Sequence, residues 1–245
     1  MKRFVMFAAS LVLSVSMAAC AVAGSSGEYP SAKIRYKMTV EVETPEGIKT
    51  GSAVREISMV SRPEMLAEGN DTHVRLEEGE AIVVDLGQRG ILFATLGSSM
   101  DDGIAAMFNA FPSHCPEGNV SRCGIRHYSS LKNDAEALLP VKSYPTLITF
   151  KNLQDPLSVI TARDVSSCLP DQSSCENLIV SLENAFGKGV LLKRITIKLT
   201  HEGPTEEIKK WLPWLEVLKG KYLHGGSISR GAPLGLHSGD FKVGD

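Results

Sequence analysis

No apolar run in the chain is long enough to span a membrane as a helix. The longest, Phe4 to Ala19, is about sixteen residues, short of the roughly 20 that a spanning helix needs. Aromatic residues are scarce at 6%, and no basic stretch is interleaved with them, so nucleic-acid binding has no support. The six histidines (His73, His114, His127, His201, His224 and His237) form no H-E-x-x-H pair. No two cysteines stand at C-x2-4-C spacing, which argues against zinc. Gly225-Gly226 and Gly231 to Gly235 neither follow a strand nor open a helix, so they are not phosphate loops. Gly97-Ser98-Ser99-Met100-Asp101 misses G-x-S-x-G at its last position, and Ser130-Leu131-Lys132 is one residue short of S-x-x-K. A cap on the following helix is the ordinary role for Ser98 or Ser99. No cofactor or metal is expected.

The chain does contain an export signal. Lys2 and Arg3 form a positive n-region, Phe4 to Ala19 a hydrophobic h-region, and small residues follow. Met17-Ala18-Ala19-Cys20 resembles the lipobox of bacterial lipoproteins, with Met17 standing where Leu is usual. The resemblance implies that residues 1–19 are removed and that Cys20 becomes a lipidated N-terminus on a tether over 20–30. Ala21, in place of the Asp that retains such proteins in the inner membrane, implies passage to the outer membrane, facing the periplasm. The competing reading is cleavage after Ala21-Val22-Ala23, which discards Cys20 and gives a soluble periplasmic or secreted chain.

Five cysteines are present, and four remain once Cys20 is lipidated or removed: Cys115, Cys123, Cys168 and Cys175. An even set in an exported chain points to disulfides. Four cysteines allow three connectivities. The close spacings favour Cys115–Cys123 and Cys168–Cys175, each closing a short loop with an entropic gain of about 2–3 kcal/mol.

Beyond the signal about 220 residues remain, carrying 24 basic against 28 acidic side chains, a charge near −4. An apolar content of 43% suits a folded globule rather than a disordered chain. The expected class is α+β, an antiparallel sheet built from hairpins with two or three helices packed on it. One such domain is expected over 31–219, with a Gly-rich tail over 220–245.

Lys33 to Glu43 alternates strictly. Ile34, Tyr36, Met38, Val40 and Val42 fall on one face, as in a half-buried antiparallel strand. Pro45-Glu46-Gly47 turns the chain into a second strand from about Ile48 to Val60, whose apolar phase shifts between Val54 and Ile57 and so predicts a bulge. Glu80 to Leu96 and Tyr144 to Ala162 read as two more hairpins. The first has continuously apolar strands that suit a sheet covered on both faces. Ile104, Met107, Phe108 and Phe111 form a helical stripe closed by Pro112. Residues 112–130 read as a loop, 133–139 as a short helix, 173–186 as a helix, and Leu191 to Thr200 as a strand. A last helix, 205–218, is kinked or divided by Pro213.

Three local features are candidates for function. His114 and His127 flank the first cysteine pair and, with Asp101 or Asp102, could form an acid–base cluster. Asp85 interrupts an apolar strand, either as a buried carboxylate or, as is commoner, as an acceptor for the adjoining turn. Trp211-Leu212-Pro213-Trp214-Leu215 places two tryptophans around a proline, so that Trp214 and Leu215 are candidates for a partner-contact patch unless both rings pack inward. The expected function is a non-catalytic binding or structural module of the cell envelope, tethered by lipid and open to an envelope protein partner. The alternative is a periplasmic hydrolase with its site near Asp101, His114 and His127.

Overall fold

The computed structural model describes residues 29–62, 72–97, 100–162, 180–223 and 235–244, with the backbone alone for 100–102. The alternating segment is β1 (Ser31–Thr44). It pairs antiparallel with β2 (Gly47–Ser61) in unbroken register from Ser31↔Val60 to Thr44↔Gly47. The turn closes locally: Thr44 Oγ1 donates to the Gly47 carbonyl and accepts from the Glu46 N–H, and Gly47 supplies a φ of +116°. β3 (Thr72–Glu80) continues the sheet beyond β2, with its register shifting between Glu56 and Ile57. On the other side of β1 lies β10 (Leu191–Leu199), followed by β6 (Glu136–Leu138). β11 (Lys242–Val243) closes the β3 edge, and β9 (Val180–Ser181) adds to one end of β10.

A second antiparallel sheet runs in the order β4 (Ile82–Asp85), β5 (Ile91–Ala94), β7 (Leu147–Phe150), β8 (Val159–Thr161). It is covered on both faces, as its continuously apolar strands imply. Ile82, Val84, Leu92 and Ala94 join the main core over β1 and β2. Phe93, Ile148 and Phe150 face a second cluster with Ile208, Leu212, Leu215, Leu223, Leu236 and Phe241. The sheets meet so closely that a Cβ on Gly51 would stand 2.0 Å from the Val83 carbonyl oxygen. Only glycine fits at this crossing of β2 and β4.

Helix α1 (Met100–Ala110) packs over β3 and is pinned to β1 where the buried Tyr36 hydroxyl donates to the Gly103 carbonyl at 2.8 Å. Helix α2 (Arg122–Ser130) lies against β1. Two further short helices, α3 (Glu183–Phe186) and α4 (Ile208–Trp211), follow. The class is therefore α+β with antiparallel sheets.

Several expectations fail for identifiable reasons. Part of the 112–130 loop is α2. Its apolar face is only Ile125 and Tyr128, and its start is set by Ser121, whose Oγ accepts from the Gly124 N–H at 3.0 Å. Residues 136–138 form a strand because the exposed edge of β10 recruits them into pairing, which overrides their local helix propensity. Strand β3 went unread because its charged side chains leave Val74 and Leu76 as its only apolar residues. Within 173–186 only the last four residues are helical, and Val180–Ser181 pairs with β10. The chain end is no loose tail where it is described. Leu236 and Phe241 are buried, Ser238–Asp240 forms a capped 3-10 turn, and β11 joins the sheet. The final helix is shorter than 205–218, but it divides at Pro213 as expected, into α4 and a 3-10 turn, Pro213–Leu215.

Candidate functional site

The register of β1 on β2 decides which side chains of β2 enter the core. Ile34 faces Ile57, Tyr36 faces Arg55, and Met38 faces Ala53. Arg55 therefore stands on the apolar face of the sheet, and its side chain is the largest of those fully buried, at 1% exposure. One guanidinium nitrogen donates to the Thr95 carbonyl at 3.3 Å, while Nε is buried with no hydrogen-bond partner. No carboxylate among the described residues pairs with it. The adjacent acid is the Tyr36 phenol. Burial pushes that phenol up, the charge and hydrogen bonding of the neighbouring Arg55 only partly oppose the shift, and the proton is committed to Gly103. Tyr36 is thus neutral and is no counter-ion.

Arg55 lines a cleft of about 220 Å³ between α1 and the 140–146 segment, beside the sheet. Met38, Leu96 and Ala106 give it an apolar wall, Ser143 a hydroxyl, and Asn109 and Lys142 its exposed rim. No acidic side chain among the described residues lines it. Ser143 Oγ, like Thr95 Oγ1 beside the arginine, is buried without a partner. Buried polar groups are ordinarily hydrogen-bonded and buried charges paired, because stranding them is costly. A buried cation that shares a cleft with the unpartnered hydroxyl of Ser143 is an arrangement that an anion would complete.

The opposite face of β2 carries a balanced site. Glu56, 1% exposed, is held by Lys33 at 2.6 Å and Arg35 at 2.7 Å. Burial pushes its carboxyl up, but the hydrogen bonds and charges of Lys33 and Arg35 outweigh this and hold it below the usual carboxylate range. The cleft there is larger, about 510 Å³, but its charges alternate in sign: Glu56, Glu77, Glu78 and Glu206 against Lys33, Arg75 and Lys242.

No family model, curated protein or solved structure matches the chain. Its function must be argued from its own residues.

The residues singled out from the sequence are not gathered at Arg55. Cys115 and Cys123 are bonded, with Cα atoms 5.8 Å apart, which ties the residue after His114 to the helix that carries His127. His114 is exposed. His127 packs edge-on to Tyr128, with ring centroids 5.0 Å apart, and its Nε2 is buried without a partner. Neither histidine has a carboxylate partner among the described residues. The side chains of Asp101 and Asp102 lie outside the described residues, as do Ser98, Ser99, Cys20, Cys168, Cys175 and His224.

Asp85 is exposed and accepts from the Gly87 N–H at 2.7 Å, so it serves its turn. Leu215 is 5% exposed and cannot offer a contact surface. Trp214 is half-buried, donates from Nε1 to the Leu153 carbonyl at 2.8 Å, and meets Phe150 and Phe241 edge-on. Both residues belong to the second core because Pro213 turns them inward.

Sequence reasoning passed over Arg55, although the signal was present. Ile57 and Met59 face inward, and period two carries that phase back to Arg55. The apolar Val54 just before it predicts a bulge, and β2 does shift register against β3 between Glu56 and Ile57, while its pairing with β1 runs unbroken. Val54 is buried on the opposite face, where its N–H and carbonyl both bond to Thr205.

Proposed function

We propose that this is an exported, lipid-anchored bacterial envelope protein that binds a small anionic ligand in the Arg55 cleft without converting it. The observation that carries the reading is the buried guanidinium with no counter-ion among the described residues. Removing such a charge from water costs several kcal/mol unless it is compensated, and an anionic ligand would supply the compensation. Arginine stays protonated at any physiological pH, so its work here is to attract and orient rather than to exchange a proton. The n-region, the apolar run and the lipobox-like Met17-Ala18-Ala19-Cys20 support export and anchoring through Cys20.

Thermal denaturation of the mature protein in chloride buffer, with sulfate, acetate or benzoate added, tests the binding claim. At least one anion should raise Tm in a saturable way, and the rise should vanish in Arg55→Met. If no anion stabilises the protein, or if stabilisation survives in Arg55→Met, the binding claim fails. Intact mass of protein purified from membranes tests the anchor. A triacylated Cys20 supports it, and a chain starting at Gly24 refutes it.

A further inference from the structure

The composition of the Arg55 cleft narrows the ligand class. We infer that the ligand is a small monocarboxylate bearing a short apolar group, with its carboxylate on Arg55 and its apolar part against Met38, Leu96 and Ala106. This rests on the cleft being an anion site.

Charge, shape and space support the inference. Among the described residues the buried end of the cleft holds one charge, that of Arg55, while Lys142 sits exposed at the rim. A monoanion leaves that end neutral. A dianion would leave one negative charge stranded in low dielectric. The planar guanidinium fork matches the two oxygens of a carboxylate, and Nε is free to serve as one prong. The Ser143 hydroxyl can donate a further hydrogen bond.

Three of the lining side chains are aliphatic, Leu96 and Ala106 with a few per cent of their surface exposed and Met38 fully buried. A wholly polar ligand would lose its hydration there without gaining contacts. Sites for drug-sized ligands measure about 300–1,000 Å³, so a cleft of about 220 Å³ suits something smaller.

Isothermal titration of the full mature chain with five probes separates the possibilities: acetate, benzoate, benzamide, succinate and sulfate. Benzoate should bind at least about tenfold more tightly than acetate, which lacks the apolar group, and than succinate or sulfate. Benzamide, which lacks the charge, should not bind measurably. Arg55→Met should abolish benzoate binding.

Ala105 lines the cleft but is exposed. Ala105→Trp should therefore block the mouth without disturbing buried residues, and it serves as a second variant if Arg55→Met fails to fold. If sulfate or succinate binds as tightly as benzoate, the monocarboxylate assignment falls while the anion site stands. If benzamide matches benzoate, if no probe binds, or if benzoate binding survives both substitutions, the anion site falls as well.

Discussion

Replacing Arg55 with methionine should stabilise the ligand-free protein. The side chain faces Tyr36 across the strand pair, lines one cleft with Met38 and Leu96, is 1% exposed, and has no counter-ion among the described residues. Several effects compete. The substitution removes a desolvated cation, a gain of several kcal/mol. It places an apolar side chain of similar length in an apolar setting, worth about 1.5–3 kcal/mol. Against this, it deletes the hydrogen bond to the Thr95 carbonyl, 3.3 Å long, which as a bond from a charged donor is worth about 1.5–3 kcal/mol. It also leaves a small void where the guanidinium forked.

The Thr95 carbonyl is also left without its donor, at a further cost of about 1–3 kcal/mol; these losses offset most of the gain, and we expect a net advantage for methionine on the order of 1–2 kcal/mol. At roughly 2–4 °C per kcal/mol for a chain of this size, Tm should rise by about 2–8 °C. Calorimetry in dilute chloride buffer measures it, with Arg55→Lys alongside as a variant that keeps the charge and gains nothing. A fall in Tm for Arg55→Met of the same size would mean that the arginine is a structural strut, and the argument from an uncompensated charge would be refuted.

Other perturbations probe the frame around the site. Gly51→Ala puts a methyl 2.0 Å from the Val83 carbonyl oxygen. It should prise the sheets apart and destabilise by at least about 1–3 kcal/mol, read as a lower urea midpoint; an unchanged midpoint would contradict the tight crossing. Glu80, 3% exposed, accepts from the N–H groups of Glu207 and Ile208 at 3.0 and 2.9 Å. Glu80→Ala strands both donors and should cost about 2–4 kcal/mol by urea denaturation, with Glu80→Gln losing less. The Glu56 carboxyl titrates below its unfolded value because of Lys33 and Arg35. Its stabilising contribution is therefore complete above about pH 4.3 and is lost as pH falls through the lower folded value. Urea midpoints measured below pH 4.3 should fall less steeply with acid in Glu56→Gln than in the parent; parallel slopes would remove Glu56 from the account.

Much of the frame was legible because short-range pattern and tertiary need agree. The alternation of Ile34 to Val42, the Pro45-Glu46-Gly47 turn and the stripe of Ile104, Met107 and Phe108 each specify an element that the core then uses. The strands missed were those whose stability comes from their neighbours. β3, β6, β9 and β11 are short or charged and pair because an adjacent edge receives them. Helix α2 depends on one serine cap and a disulfide rather than on a long apolar stripe.

The site was obscured for a similar reason. An arginine in a strand ordinarily faces water, which masks the inward phase that Ile57 and Met59 imply; the pairing of Arg55 with Tyr36 across β1 and β2 makes that phase plain. The histidines and tryptophans drew notice as residue types that often act. Yet Trp214 is held by Leu153 and the aromatic cluster, and His114 and His127 lie by α2, away from the cleft lining.

The most direct test of an anion on Arg55 is to watch the Arg55 Nε–H itself. In ¹⁵N-labelled protein its resonance is the one missing from Arg55→Lys. Titration with benzoate should move that resonance progressively to a saturating limit as Nε gains the acceptor it lacks. If the resonance stays fixed at benzoate concentrations that shift other signals, the anion binds elsewhere and Arg55 is not its site.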